Sequence, residues 1–531
     1  MPTLEWIGKD KVINHHQKVP YRVLEEQYTY NAESSENMII RGDNLEALKA
    51  LLPQFEGKIK CIYIDPPYNT GNEGWVYNDN VNDPKIKRWL GEVVGKEGED
   101  LSRHDKWLCM MYPRLKLLQK LLSNNGAIFI SIDDNEQANL KFICNEIFGK
   151  NNYQGCIVRS TGQTTGQDSS GLGSSFDYIY VFSKQPDYFF GGLPLTPHDL
   201  KRFENVDERG KYAYDQLRKT GSNDRREDRP NMYYAIINPD GEELYPTATA
   251  GYESCWRVEK KRYLELEADN YILWKKTKRN GEEVWWPYVK YYAEGRTKRP
   301  SPLWTELEGN KKASRDVKAI LGNDKKFDYP KPIEMIDRIL RIANVNPGDI
   351  ILDSFAGSGT TAHAVLNMNK ADGGNRKFIL VEMMDYADSI TAERVKRVID
   401  GYGEGKNTVE GTGGDFTFYD LGQALLLPDG NLNEEVDTDK IREYIWYAET
   451  KTPFIPIISD NPYYLGKRND TGYYFYYEKD RLTTLNYEWL STLAKKTESY
   501  LIYADLCTIP DDELKKYNIT FKKIPRDIAK L

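Results

Sequence analysis

The chain has 531 residues, of which 40% are hydrophobic and 29% are charged, so it is long enough for several folded domains. Its net charge of −8 does not favour a nucleic-acid-binding protein, although a local basic face would be enough for that function. Long apolar stretches and a signal-peptide core are absent from the sequence, which predicts a cytoplasmic protein without membrane contact. The six cysteines form no CxxC pair, so neither a zinc site nor a disulfide framework is predicted.

Strands and helices alternate over residues 37–185, and this alternation predicts a parallel sheet covered by helices. The predicted strands are 37–43, 58–65 and 124–133, and the predicted helices are 44–55, 107–122 and 136–149. Asn44 is predicted to cap the first helix, and residues 69–104 are predicted to form a long loop. Two further apolar segments, 155–160 and 178–184, are expected to form an antiparallel edge.

Periodicity is lost after residue 185 and returns near residue 325. A helix is predicted over 329–343, then a strand, glycine-rich turn and helix over 348–368, a strand over 377–383 and a helix over 387–400. Five domains are predicted. An N-terminal extension spans 1–36, a first half-domain spans 37–185, and an irregular aromatic and charged region spans 186–325. A second half-domain spans 326–400, and a small α+β module spans 415–531.

The glycine-rich turn lies in "ILDSFAGSGTT", residues 351–361. Asp353 ends the strand, and Gly357 and Gly359 allow the backbone to turn sharply and approach a ligand. This arrangement is typical of nucleotide-cofactor sites at the edge of open α/β sheets, although it differs from the dinucleotide pattern G-x-G-x-x-G. Glu382, which ends the next strand, is placed to accept hydrogen bonds from two ribose hydroxyls; the alternative is a solvated acid.

A second motif, "IDPPY" at residues 64–68, follows a buried strand. Asp65 and the carbonyl of Pro66 offer two acceptors at one point, and Pro67 makes the turn rigid. Two acceptors suit an amino group with two N–H donors, and Tyr68 could stack on the base that carries it. A base in a duplex would have to be flipped out to reach this pocket. The alternative interpretation is a rigid turn without chemistry.

With both motifs in one chain, and with "HDKWLCMMYPRLKLLQKLLSNNGAIFISIDDNE" and "KFICNEIFG" between them, the sequence resembles the amino-group DNA methyltransferases. Among these it is most similar to the modification subunits of type III restriction–modification systems, in the β arrangement of motifs. The resemblance covers most of residues 37–185 and 325–395. It implies a Rossmann-like α/β fold, circularly permuted, that carries an inserted α+β target-recognition domain and a small C-terminal α+β domain.

The resemblance also implies a reaction, in which a methyl group passes from S-adenosylmethionine to N6 of adenine without a metal. The implied catalytic residues are Asp65, Pro66, Pro67 and Tyr68. The implied cofactor-binding residues are Asp43, Asp65, Lys331, Asp353, Phe355, Ala356, Gly357, Ser358, Gly359, Thr360 and Glu382. Lys331, with Pro332, would line the methionine end, and Asp43 would border the adenosine. His104 and Lys106 would face the active site, or else only begin a solvated helix.

Basic and aromatic residues alternate in the region 186–325, as in "WKKTKRNGEEVWWPYVKYY", and could grip and read double-stranded DNA. The alternative is an aromatic core with a charged surface. The resemblance further implies a homodimer and a helicase–nuclease restriction subunit as partner. Three other functions stay open at this point: cytosine-N4 methylation, a non-catalytic DNA-binding subunit and, least favoured, a nicotinamide oxidoreductase.

Overall fold

The structure is a computed structural model, which describes residues 3–70, 88, 91–93, 103–162, 175–279, 281–322, 327–459, 461–493 and 496–529. The chain divides into two compact units. The larger unit combines Met1–Gly191 with Ser301–Leu531, and the smaller unit is Gly192–Pro300. No helix among the described residues is long and apolar enough to cross a membrane.

A ten-stranded sheet forms the centre of the larger unit. Its strands in chain order are β1 (Arg22–Tyr30), β2 (Met38–Arg41), β3 (Ile59–Ile64), β4 (Leu122–Ile132), β5 (Tyr153–Ser160), β6 (Phe176–Ser183), β7 (Leu303–Trp304), β8 (Ile350–Asp353), β9 (Lys377–Glu382) and β10 (Phe416–Ala424). In space they follow the order β1-β10-β2-β9-β8-β3-β4-β6-β5-β7. The six strands from β10 to β4 are parallel to one another. The sheet is therefore permuted as the sequence predicts, because β8 and β9 lie between β2 and β3.

Helices cover this sheet in two groups. The longer helices of the larger unit are α1 (Asn44–Phe55), α2 (Arg103–Leu121), α3 (Gln137–Phe148), α4 (Asn310–Leu321), α5 (Ile333–Ile342), α6 (Thr360–Asp372), α7 (Glu393–Asp400) and α8 (Thr438–Thr450). Helices α1, α2 and α3 pack together, and α4 to α7 form a second packed group. All six residues of β3 are buried, as expected for a strand covered on both faces.

The first helix has a different cap from the one predicted. Asp43, not Asn44, is the N-cap: its carboxylate accepts the backbone N–H groups of Leu45 and Glu46 at 2.8 and 3.3 Å. Asn44 is instead buried in the first turn and donates to the carbonyl of Ser354 at 3.1 Å. Both residue types are good caps, so the choice depends on the contact with Ser354, which is distant in sequence.

Two other helix starts differ from prediction. The helix expected from residue 107 begins at Arg103, inside the predicted loop 69–104; most of that loop lies outside the described residues. The helix expected over 387–400 begins with a 3-10 turn, Asp385–Ala387, and a π-helical turn, Asp388–Ala392, before α7. The predicted antiparallel pairing of 155–160 with 178–184 is confirmed, but β7 extends the sheet beyond β5.

The opposite edge of the sheet comes from ranges assigned above to an N-terminal extension and a C-terminal domain. β1 pairs antiparallel with β10, and β10 pairs parallel with β2. Tyr28 of β1 stacks on Phe418 of β10 with 5.3 Å between the ring centres. The charged residues of β1, "RVLEEQYTY", hide its strand pattern, because an edge strand that is half exposed tolerates them. The domain division itself stays a prediction.

Short helices and small two-stranded pairings complete the larger unit. The helices are Lys9–Val12, His15–Lys18, Tyr487–Leu490 and Asp511–Lys516, and the pairings join Gly401–Tyr402 with Val409–Glu410 and Thr484–Leu485 with Leu506–Cys507. Near the C-terminus a four-stranded sheet has the order Tyr464–Arg468, Thr471–Phe475, Ser499–Ala504, Ile519–Lys523. These strands and the short helices beside them form the predicted α+β arrangement.

The smaller unit is also α+β. Its main sheet has the order Ile272–Arg279, Glu282–Tyr292, Gly210–Gln216, Asn205–Asp207, and its longest helix is Lys260–Ala268. Short strands pair Leu193–Pro194 with Thr297–Lys298 and Ile236–Ile237 with Glu243–Leu244, and the remaining helical turns are Pro197–Leu200 and Pro230–Met232.

The aromatic residues of the smaller unit have two different environments. Trp286 is buried in its core, and the Arg279 guanidinium lies 3.4 Å from the centre of the Trp286 ring. Trp285 donates its indole N–H to Asp240 at the surface. The core interpretation therefore holds for Trp286. Trp285 is only half-buried and pairs across two strands with the exposed Lys276, whose ammonium lies 5.1 Å from the centre of the Trp285 ring.

Candidate active site

The two sequence motifs meet at the carboxyl ends of neighbouring strands. β3 and β8 are parallel, with Cys61 opposite Ile351 and Ile62 opposite Leu352. Asp65, directly after β3, and Asp353, the last residue of β8, therefore lie at the same edge of the sheet. Parallel α/β sheets bind their ligands at this edge.

One narrow cleft at this edge includes most of the predicted site residues. Its lining contains Asp65, Lys331, Asp353, Phe355, Ala356, Gly357, Ser358 and Thr360, together with Tyr63, Phe327, Tyr329, Pro330 and Thr361. The segment before α5 thus forms one wall of the cleft and the glycine-rich turn forms the other. The predicted residues Asp43, Gly359 and Glu382 stand behind or beside the cleft.

The Asp-Pro-Pro-Tyr loop is held by a hydrogen bond that the sequence does not reveal. Trp107, fully buried in α2, donates its indole N–H to the carbonyl oxygen of Pro67 at 2.6 Å. Burial raises the pKa of Tyr68 well above its ordinary value, and the charge of Asp65 adds to this shift. The Tyr68 hydroxyl is consequently neutral, and it has no hydrogen-bond partner among the described residues.

Lys331 contacts the loop directly. Its ammonium lies 2.5 Å from a carboxylate oxygen of Asp65 and 4.9 Å from the centre of the Tyr68 ring. The side chains of Lys331 and Asp65 are only 10% and 12% exposed, so this is a largely desolvated ion pair. The resemblance implies that Lys331 lines the methionine end of the cofactor site; in the structure its ammonium contacts Asp65, the predicted catalytic acid.

Asp353 braces the start of the glycine-rich turn. One carboxylate oxygen accepts the backbone N–H of Phe355 at 3.1 Å, and the other accepts the hydroxyl of Thr361 at 2.6 Å. Burial, followed by repulsion from Asp65, raises the pKa of Asp353 to about 7. Its visible role is to join the strand end to the first turn of α6.

The turn itself requires glycine at two positions. Gly357 and Gly359 have φ angles of 52° and 80°, in the left-handed region. A Cβ atom at Gly359 would also lie 3.2 Å from the carbonyl oxygen of Thr391. The Thr391 hydroxyl donates to the Gly357 carbonyl at 2.6 Å, so the segment before α7 fixes the turn from behind.

Glu382 is oriented toward the turn. Its carboxylate oxygens accept the backbone N–H groups of Gly357 at 2.8 Å and Met384 at 3.0 Å. Burial raises the pKa of Glu382 to about 7. Each oxygen of an ionised carboxylate can accept a second hydrogen bond, so the predicted contact with ribose hydroxyls is compatible with these bonds.

Ser358 and Thr360 direct their hydroxyls away from a ligand and toward Arg394. The Arg394 guanidinium donates to the Ser358 hydroxyl at 2.7 Å and to the Thr360 hydroxyl at 2.9 Å. Arg394 is 1% exposed, and burial lowers its pKa to about 10. Sequence reasoning missed Arg394, although an arginine on the apolar face of an amphipathic helix is an unusual feature.

Asp43 lies at the next strand end. β2 is parallel to β9, and Gly42 donates its N–H to the carbonyl of Glu382 at 3.0 Å. The buried Arg114 donates to Asp43 at 3.2 Å and also to Asn44. Asp43 thus follows the residue that binds the main chain of Glu382, and its carboxylate caps α1 and binds Arg114.

A second network lies behind the Asp-Pro-Pro-Tyr loop. Glu136, completely buried, accepts hydrogen bonds from the side chains of Asn69 and Asn139 and pairs with His104 Nδ1 at 2.7 Å. His104 is exposed and Lys106 is half-buried; both lie in the first turns of α2. Among the described residues, no group of three or more His, Cys, Asp or Glu side chains is arranged to hold a metal ion.

Comparison with known proteins gives the family. A family model described as DNA methylase matches residues 59–393. The chain is 32% identical over 415 residues to "Type III restriction-modification enzyme EcoPI Mod subunit" of Escherichia phage P1, an alignment that covers 72% of this chain and 63% of that protein. It is 33% identical over 365 residues to "Type II methyltransferase M.KpnI" of Klebsiella pneumoniae, covering 66% of this chain and 81% of that protein.

The chain matches a little under two thirds of the length of the EcoPI subunit. Among solved structures, "PVUII DNA METHYLTRANSFERASE (CYTOSINE-N4-SPECIFIC)" matches with 12% identity and a TM-score of 0.34, over 68% of this chain and 87% of that one, which is too distant to add to the assignment. The family match spans both motifs and the permuted sheet between them. This chain belongs to the DNA methylase family.

Proposed function

We propose that this protein is a site-specific DNA methyltransferase that transfers a methyl group from S-adenosylmethionine to N6 of a flipped-out adenine. The observation that carries the proposal is the juxtaposition of Asp65 and the glycine-rich turn at one edge of the sheet, on the parallel strands β3 and β8. Asp65, the first residue of the loop that would grip the amine, lines the same cleft as the turn that would hold the cofactor. The relatedness to M.KpnI and to Mod subunits supports the same conclusion.

The residues of the cleft fit S-adenosylmethionine. Gly357 and Gly359 adopt the left-handed conformation that lets the backbone of the turn approach a ligand, and the buried Glu382 retains acceptor capacity for hydroxyl groups. Phe355, Ala356, Ser358 and Thr360 would hold the cofactor through the backbone of the turn, with Asp353 as its brace and Asp43 beside the adenosine. The cofactor supplies an electrophilic methyl group on a sulfonium.

The protein's own residues would prepare the nucleophile. The carboxylate of Asp65 and the carbonyl of Pro66 would accept the two N–H groups of the target amine, which aims the nitrogen lone pair at the methyl group. Pro67, fixed by Trp107, would hold the loop rigid, and Tyr68 would stack on the base. Such catalysis is mainly positioning and electrostatics, so Asp65 need not be a strong base.

We further propose that the chain acts as the modification subunit of a type III restriction–modification system. The names of the EcoPI and EcoP15I Mod subunits support this, at 32% and 30% identity. Double-stranded DNA, a second copy of this chain and a helicase–nuclease subunit are the proposed partners, and the cytoplasm is the proposed location. Mass measurement of the purified protein, alone and with the restriction subunit, would test the assembly.

The test of the chemistry is transfer of a labelled methyl group to DNA, followed by nucleoside analysis. We expect N6-methyladenine from the wild type and no product from Asp65→Ala, while S-adenosylhomocysteine still binds to that variant. N4-methylcytosine would instead establish the alternative acceptor, because the two-acceptor grip suits either amine. Normal methylation by Asp65→Ala would contradict the assigned site.

A further inference from the structure

The residue after Tyr68 adopts a constrained conformation. Asn69 is completely buried and has a φ of 60°, in the left-handed region that asparagine adopts more readily than other non-glycine residues. Its amide nitrogen donates to the carbonyl of Arg103 at 3.2 Å and to the carboxylate of Glu136. Both partners are acceptors, so the orientation of the amide follows from its surroundings.

Glu136 provides a fixed point for this amide. It stands between β4 and α3 and has no exposed surface. Its other carboxylate oxygen accepts from Asn139 at 2.7 Å, and the oxygen shared with Asn69 also pairs with His104. A carboxylate removed from water needs such donors to stay stable, so replacing one donor by an acceptor has a large effect.

These contacts bear on Tyr68 because its ring meets the Lys331 ammonium, 4.9 Å from the ring centre, without a directional hydrogen bond. Its hydroxyl has no hydrogen-bond partner among the described residues. The neighbours on either side are both anchored: Pro67 through Trp107 at 2.6 Å, and Asn69 through Glu136. The position of the Tyr68 ring therefore depends on the main chain at residues 67 and 69.

We propose that Asn69 and Glu136 form a positioning pair for methyl transfer, which holds Tyr68 where it stacks on the target base. This inference depends on the proposed function, since it assigns Tyr68 to the base. Neither residue touches the reacting atoms. Their effect should consequently appear in the rate of transfer and leave the affinity for the cofactor unchanged.

The test exchanges donor and acceptor between the two residues. Asn69→Asp places two carboxylates face to face, and Glu136→Gln places an amide N–H against another donor. In the double variant Asn69→Asp/Glu136→Gln, the new amide can donate to the new carboxylate while its oxygen still accepts from Asn139. The new carboxylate still faces the carbonyl of Arg103, so the recovery is expected to be partial. Asn433→Asp is the matched control, because Asn433 is also buried and its amide donates to the carbonyl of Ala424 at 3.0 Å, and neither residue lines the cleft.

We would measure the single-turnover rate of methyl transfer at saturating cofactor, together with the dissociation constant of S-adenosylhomocysteine. We expect Asn69→Asp to slow transfer by about 100-fold and the double variant to recover on the order of tenfold, as a coupled contact predicts. Cofactor affinity should change less than about threefold in every variant, and Asn433→Asp should transfer at the wild-type rate.

Two outcomes would overturn the inference: a double variant as slow as the product of the single effects, or loss of cofactor affinity in step with the rate. Failure of the proposed function looks different, because the wild type itself would then transfer no methyl group. Wild-type transfer without recovery in the double variant refutes only the role of Asn69 and Glu136.

Discussion

Lys331 and Asp65 form an ion pair of 2.5 Å, and the same ammonium lies 4.9 Å from the centre of the Tyr68 ring. The Lys331 ammonium thus occupies one side of the Asp65 carboxylate, the group that we propose accepts a hydrogen bond from the target amine. A carboxylate has a second oxygen and further lone pairs, so Lys331 and an incoming amine can share Asp65.

Lys331→Met should damage both stability and activity. It leaves the Asp65 charge buried without this partner, and breaking a buried pair costs on the order of 3 kcal/mol. We expect a lower melting temperature and at least about a tenfold slower methyl transfer. Lys370→Met is the control: its pair with Glu410 is exposed and should contribute less than about 1 kcal/mol. If Lys331→Met and Lys370→Met had the same melting temperature and the same rate of methyl transfer, the ion pair at Asp65 would have no functional role.

Stability should fall as the pH rises through neutrality. The pKa values of Asp353 and Glu382 are raised to about 7 by burial, so the folded state holds these protons more tightly than the unfolded chain does. This contribution to the free energy of unfolding is complete below the unfolded pKa values and is lost as the pH passes the folded ones. Melting temperatures between about pH 5 and pH 8 would record it.

In Asp353→Asn this pH dependence should become shallower. Asparagine can still accept from Phe355 and can donate to Thr361, so the geometry is kept while the titration is removed. Asp349→Asn, at the start of the same strand and half-buried, should leave the dependence unchanged. Parallel melting curves for Asp353→Asn and the wild type would contradict the assignment of the shift to Asp353.

Gly359→Ala should weaken cofactor binding. Alanine in the left-handed region costs about 1–2 kcal/mol, and its Cβ would press on the Thr391 carbonyl. Gly373→Ala is matched, because Gly373 ends the same helix with a φ of 70° and its Cβ would meet nothing within 4 Å. Calorimetry with S-adenosylhomocysteine should show a loss of affinity for Gly359→Ala and none for Gly373→Ala. Equal affinities of the two variants would indicate that the cofactor does not bind at this turn.

Trp107→Phe should slow methyl transfer as well as lower the free energy of unfolding. The substitution removes the hydrogen bond to Pro67 and leaves a buried carbonyl without its donor, at a cost of about 1–3 kcal/mol. Trp446 makes the same type of bond to Pro453 at 3.0 Å, far from the loop in sequence. Trp446→Phe should therefore lose a similar free energy of unfolding but keep its rate of methyl transfer. An equal loss of rate in both variants would show that Trp107 has no specific effect on the site.

The sequence predicts the central layer of the fold well, because strands such as β3 and β8 are short apolar runs followed by distinctive turns. It predicts which residues meet at the cleft for the same reason: parallel strand ends share an edge. It does not predict the anchors. Trp107, Glu136 and Arg394 contact the motifs across long sequence separations. Only Arg394 leaves a local signal, as a charged residue on the apolar face of α7, and that signal does not say which residues it contacts.

The sequence also does not predict the direction in which side chains point. Ser358 and Thr360 occupy the predicted turn, but buried Arg394 draws their hydroxyls inward. Asp43 caps α1 in place of the predicted Asn44, because Asn44 donates to the buried carbonyl of Ser354, directly after β8. β1 and β10 were missed since their pairing joins residues such as Arg22 and Ala424, which no short window contains.

The permuted sheet sets an order for folding during synthesis. β2 and β3 leave the ribosome early, yet their neighbours β9 and β8 follow only some 300 residues later in the chain. Until then both strands have open edges that could pair with other chains. A nascent chain that stops before residue 350 therefore has no way to complete its central layer, and we expect the two halves to assemble only when they are synthesised together.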